Sequence, residues 1–264
     1  MNKKTYKTKR KAFSLIELSI VLIIIGLLVA GVTGGASLIK NAELRKVVEE
    51  ARGYQTAVNS FFAKYNALPG DFGTAIGTQT GTATGNDDGA IAFINVNATG
   101  GRMEGNIAWQ MLVNDNFIDN DFTPASADLS SGTTYTVQLN GGGDLPESNS
   151  QGGGWAFDNI SSQNVVILMG GSTPASLGTL TANTPYNMLT TSTAALTNST
   201  AAATTGNAQL LGTDALSLDR KVDDGIANAG DVRGVLASCN ATTTYTTTNP
   251  FSVCALSFKV GDID

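Results

Sequence analysis

The chain has 264 residues, with 16 Lys+Arg, 22 Asp+Glu, no His, two Cys and only 14% charged residues, against about 25% in an ordinary soluble domain. Without histidine there is no His-based triad, no imidazole general base and no His-ligated zinc or haem, and two cysteines cannot form a four-Cys metal site. The composition therefore reads as that of a non-enzyme, with carboxylate-only chemistry of the glycosidase type as the one catalytic route it leaves open.

The chain opens with six cations and no acid: Lys3, Lys4, Lys7, Lys9, Arg10 and Lys11. From Phe13 onward ten basic residues face 22 acidic ones, a formal charge of −12. Such a body repels phosphate backbones, so no nucleic-acid partner is expected. Directly after the basic block, Phe13 to Val32 is almost wholly apolar. At 1.5 Å per residue that run makes about 30 Å of helix, the thickness of the hydrocarbon core of a bilayer. The basic flank places the amino terminus in the cytoplasm and the later residues outside it. A secretory signal peptide cut after Ala30 or Ala36 is the competing reading. Against it stands Glu17, a carboxylate inside the apolar run, where a charge costs roughly 2.5–3.5 kcal/mol on insertion scales and marks function by default.

Lys11-Ala12-Phe13-Ser14-Leu15-Ile16-Glu17-Leu18 resembles the processing signature of type IV prepilins and type II secretion pseudopilins. The resemblance implies cleavage by a prepilin peptidase between Ala12 and Phe13, N-methylation of Phe13, and Glu17 as the fifth residue of the mature chain. The family usually has Gly where this chain has Ala12. Cleavage there would create an α-ammonium, with an ordinary pKa of about 7.7–8. In a filament of parallel, staggered helices the resemblance implies that Glu17 of one subunit meets the Phe13 amine of a neighbour, each neutralising a charge that is intolerable alone.

Past the apolar run, Leu44, Val47, Val48, Ala51, Tyr54, Val58, Phe61, Phe62, Tyr65 and Leu68 recur at helical spacing. One helix is therefore expected from about Phe13 to Asn66, with its second half burying a stripe under a head domain. Arg45/Glu49 and Lys46/Glu50 are read as i,i+4 pairs on its wet side. Gly34-Gly35 is the expected place for a bend or for local melting on assembly, and Leu68-Pro69-Gly70-Asp71 ends the helix.

Residues 67–264 read as a globular α+β head with long loops. A short helix is expected over Asn106–Phe117, with Glu104 and Asn106 as start signals. Strands are expected at Thr133–Leu139, Gly154–Phe157, Asn164–Met169 and Cys254–Val260. Thr190–Ala208, low in complexity, reads as a surface loop. Cys239 and Cys254, the only two cysteines, fall on the extracytoplasmic side, where a disulfide is the natural reading. It would close a loop of about 16 residues, worth roughly 3 kcal/mol in the chain-entropy model; two buried thiols are the alternative. Many pilins carry such a C-terminal loop. Two acidic turns, Asn86–Gly89 and the set Asp219, Asp223, Asp224 and Asp231, have the oxygen ligands that Ca²⁺ wants, without EF-hand spacing. Some pseudopilins hold Ca²⁺ in a C-terminal loop. Asx turns and a helix end capped near Gly225 explain the same residues without metal.

Three more stretches are similar to the secreted filament proteins: Tyr65–Phe72, Glu104 with Trp109 and Leu112, and Leu218–Gly225. Together the expectations are a cleaved cytoplasmic leader over 1–12, a transmembrane and assembly helix over 13–34, its extracytoplasmic continuation over 35–66 and the pilin-like head over 67–264. The expected product is a structural subunit, minor or specialised, of a type IV pilus or type II secretion pseudopilus, held in the inner membrane with its head outside the cytoplasm. Its partners would be the peptidase, fellow subunits and secreted cargo, and no cofactor is required beyond an optional Ca²⁺. A single-span adhesin or binding module that never polymerises is the rival.

Overall fold

The computed structural model describes residues 14–76, 84–92, 104–119, 145–148, 154–160, 162–169, 210–235, 243–247 and 253–261. Ala12, Phe13, Cys239, the expected strand at Thr133–Leu139 and the Thr-rich stretch Thr190–Ala208 lie outside them. The layout is α+β, with a long amino-terminal helix and a small antiparallel sheet. Two compact units divide between Glu43 and Leu44.

Helix α1, Leu15–Tyr65, has 51 residues. It begins where the apolar run begins and meets no proline before Pro69. It is unbroken through Gly34-Gly35, the pair at which the sequence suggested a bend. It stops at Asn66, whose φ of 52° and N–H bond to the Phe62 carbonyl (2.7 Å) make a left-handed C-terminal cap.

In the first unit, the part of α1 up to Glu43 turns its apolar side chains outward; Leu15, Leu27 and Leu38 are 86%, 69% and 73% exposed. In the second unit the expected stripe is buried. Val47, Val58 and Phe61 are wholly enclosed, Leu44, Ala51 and Leu68 nearly so, and Val48, Tyr54, Phe62 and Tyr65 pack against them in part. Burying one such aliphatic or aromatic side chain is worth roughly 1.5–3 kcal/mol, so the stripe is the main tie between α1 and the head.

Helix α2 runs Glu104–Asn114, starting at the acid the sequence marked. Strands β1 (Gly154–Ile160) and β2 (Gln163–Met169) form a hairpin, its turn helped by Ser162 at φ 63°. β2 is central, between β1 and β6 (Leu256–Lys259), and β4 (Val232–Gly234) pairs with the far side of β6. That position explains why Val165 to Leu168 is a continuous apolar run, buried throughout. The strand expected over Cys254–Val260 is divided at Ala255: β5 (Val253–Cys254) pairs with β3 (Leu210–Leu211) in a separate two-stranded sheet, and β6 joins the larger one. Helix α3, Gly212–Val222, precedes the second acidic turn.

Rings of α1, α2 and the sheet interlock. Tyr54 meets Trp109 edge-on at 4.9 Å and Trp155 at 5.6 Å, and Trp109 lies 4.2 Å from Phe157. Such pairs add roughly 0.5–1.5 kcal/mol beyond their burial. Glu50 corrects the expectation that it pairs with Lys46 on the wet side. Its Oε2 accepts the Trp155 indole N–H (2.8 Å) and the Ser148 hydroxyl (2.7 Å). The physical reason is that Trp155 is fully buried and its N–H needs an acceptor.

Candidate functional site at the start of the long helix

Glu17 sits in the first turn of α1, exposed, and its Oε2 accepts the backbone N–H of Ser14 at 2.9 Å. Ser14-x-x-Glu17 is the spacing of a capping box, in which the acid at the third helical position satisfies a donor the helix leaves unpaired. A negative charge there also opposes the positive end of the helix dipole. The side chain thus turns back toward the amino terminus and away from the apolar residues that follow. Among the described residues α1 is the one helix long and apolar enough to cross a membrane.

The structure brings Asp219, Asp223 and Asp224 together, with one carboxylate oxygen from each within 4.8 Å of the others. Each has protein partners. Asp219, wholly buried, accepts the Tyr245 hydroxyl (2.8 Å) and the Gly225 N–H (3.3 Å). Asp223 Oδ2 accepts the N–H groups of Asp231 and Val232, and Asp224 Oδ1 accepts that of Ile226 (2.7 Å) in an Asx turn. Asp231 stands apart from the three: its carboxylate faces Lys259 Nζ at 4.0 Å. Burial, chiefly, raises the pKa of Asp219 above the usual 3.8, against the hydrogen bonds from Tyr245 and Gly225, while Asp223 and Asp224 add to the rise. A hard cation would find three of the six to eight oxygens it wants in this set.

The first acidic turn closes on the end of α1. Asp71, 4% exposed, accepts the N–H of Asp88 on Oδ1 (2.8 Å) and that of Gly89 on Oδ2 (2.9 Å), and Asp87 accepts the N–H of Gly73 (2.9 Å). Asn164 of β2 continues the clasp, its amide accepting the Ile91 N–H (2.8 Å) and donating to the Gly89 carbonyl (3.0 Å). Two of the three filament-like stretches meet here: a Cβ on Gly70, at φ 86°, would collide with the Glu104 carbonyl and the Ala108 methyl. Cys254 is buried on β5.

From the sequence, Asp71 and Asn164 have no assigned role, and Glu50 reads only as a partner of Lys46. Glu50 carried a readable signal, since it lies three residues after Val47 and four before Tyr54, at the edge of the apolar stripe. The other two act across 17 and 73 residues of chain, where no local pattern reaches.

One comparison with known proteins finds a match. A family model for the prokaryotic N-terminal methylation motif fits residues 7–33, which include Ala12, Phe13 and Glu17. No curated protein and no solved structure matches the chain. The motif is a prepilin-type signature, as the resemblance in the sequence implied.

Proposed function

We propose, from the prepilin-type signature at residues 7–33, that the chain is a structural subunit which polymerises through α1 into a type IV pilus or a type II secretion pseudopilus, as a minor or specialised member. The observation that carries this reading is the coincidence of that motif with Glu17 in the first turn of an exposed apolar helix. A prepilin peptidase cuts between Ala12 and Phe13 and methylates the new amine. Residues 13–34 hold the chain in the inner membrane, 35–66 continue the helix outside it, and the head presents a surface to cargo or to the exterior.

Glu17 has two carboxylate oxygens for two tasks. Oε2 holds the Ser14 N–H, which fixes the side chain at the helix start, and Oε1 is then presented to the Phe13 ammonium of an adjacent subunit. In hydrocarbon neither charge is stable alone, so the pair selects a stagger between helices. Exposed Leu and Ile side chains along the same helix supply the packing and carry no register of their own.

Cys239 and Cys254 pair in this reading and close the last loop of the head. Ca²⁺, if taken up, binds at Asp219, Asp223 and Asp224, and a rise in Tm on adding Ca²⁺ that EDTA reverses would register it. Replacing Glu17 by Ala tests the central role. Cleavage and membrane insertion should persist while incorporation into filaments falls at least tenfold; wild-type incorporation would refute the role. A tethered binding module would show neither cleavage nor filaments.

A further inference from the structure

The second unit carries a groove of about 220 Å³ between α1 and α3. Its floor is apolar, from Leu44, Val48 and Leu218, and its rim is basic, from Arg45, Arg52 and Lys221. Glu49 is the one carboxylate among the lining residues. That is an unusual concentration, because only ten basic residues follow Phe13 in a body of formal charge −12, and three of them border this groove. An apolar floor with a cationic rim fits an apolar side chain flanked by carboxylates.

The same unit presents that shape in the turn that follows α3. Leu211 and Ile226 are its exposed large apolar side chains among the described residues, each at 39%. Ile226 follows Asp223-Asp224-Gly225 directly, in a turn fixed by Gly225 at φ 76° and by the bond from the Ile226 N–H to Asp224. From these complementary surfaces we propose that the groove of one copy receives the Asp224-Gly225-Ile226 turn of a second copy, with Ile226 on Leu44 and Val48 and the Asp224 carboxylate against Arg45 and Arg52. The contact joins heads, separately from the pairing of helices through Glu17. It rests on the subunit reading only in that a second copy must stand alongside in the same membrane.

The test uses two versions of the full-length chain co-expressed in native membranes, one with Glu49→Cys beside the groove and one with Asn228→Cys beside the turn. A short thiol-to-thiol cross-linker is applied in EDTA, so that metal cannot mask the carboxylates. A mixed adduct should form only when both versions are present. Arg52→Glu on the groove chain should lower its yield at least tenfold, and Asp224→Lys on the turn chain should restore it, which a folding defect would not allow. No mixed adduct, a yield indifferent to Arg52→Glu, or a loss that Asp224→Lys fails to rescue would overturn the contact. So would loss of the adduct together with Arg52-dependent binding to vesicles of anionic phospholipid, which would make the groove a headgroup site. Filaments without the adduct would sink this contact and leave polymerisation standing; the adduct without filaments would do the reverse.

Discussion

Glu50 shows how a single side chain joins the long helix to the head. Its carboxylate takes both the Trp155 indole and the Ser148 hydroxyl, and removing it leaves a buried N–H without an acceptor. Glu50→Ala should cost about 1–3 kcal/mol, read as a lowered Tm in detergent, while Glu50→Gln, which keeps an acceptor oxygen, should recover much of that; equal losses would contradict the hydrogen-bond account. Gly70 is constrained twice, by a left-handed φ of 86° and by the Glu104 carbonyl where its Cβ would stand. Gly70→Ala should therefore cost more than the roughly 1 kcal/mol of an ordinary strained glycine position, and an unchanged Tm would show that the turn can yield. Asp219 has a pKa raised above 3.8 mainly by burial. The folded chain then holds a proton that the unfolded chain has released, so stability should fall as pH rises from about 3.8 through the raised value. Asp71 shifts in the same direction, also through burial. Asp219→Asn removes one titration while keeping an acceptor for Tyr245, so the slope of Tm against pH should flatten without vanishing; an unaltered slope would contradict the assignment.

At the scale of elements, α1 carries two different amphipathic problems in one helix. Up to Glu43 its large apolar side chains are exposed among the described residues, and from Leu44 they are the floor of the head. The second half was legible because Val47, Ala51, Tyr54, Val58 and Phe61 keep one period, and the end because Pro69 and Gly70 follow it. The strands β1 and β2 were legible as two apolar runs between glycines, and their pairing as a hairpin came from the fold. α3 was legible only at its end, as the helix terminus expected near Gly225, since Ala215 and Leu218 are its only buried apolar side chains and a run of Thr, Asp and Ser around them hides the period. The division of the last strand at Ala255 escaped for a different reason: Cys254 and Leu256 belong to separate sheets with partners far away in sequence, while alternation records only that both are buried. The motif-bearing residues were legible from a short local pattern. The Asp71 clasp and the groove between α1 and α3 arise from contacts that only the folded chain makes.

For the molecule as a whole, what governs its behaviour is that a head with its own core is joined to a helix segment that leaves its apolar side chains uncovered. In the proposed subunit, lipid would cover that segment before assembly and neighbouring copies afterwards, so that the same residues would serve as anchor and as polymer core. In that proposal Glu17 and the amine created at Phe13 decide which neighbouring arrangement is accepted, and it depends on that amine being created. The most direct test is the intact mass and amino-terminal sequence of the protein recovered from native membranes. The account predicts a chain of 252 residues beginning at N-methylated Phe13, lighter by two hydrogens for a Cys239–Cys254 bond. A chain still beginning at Met1, or one cut after Ala30 or Ala36, would contradict it.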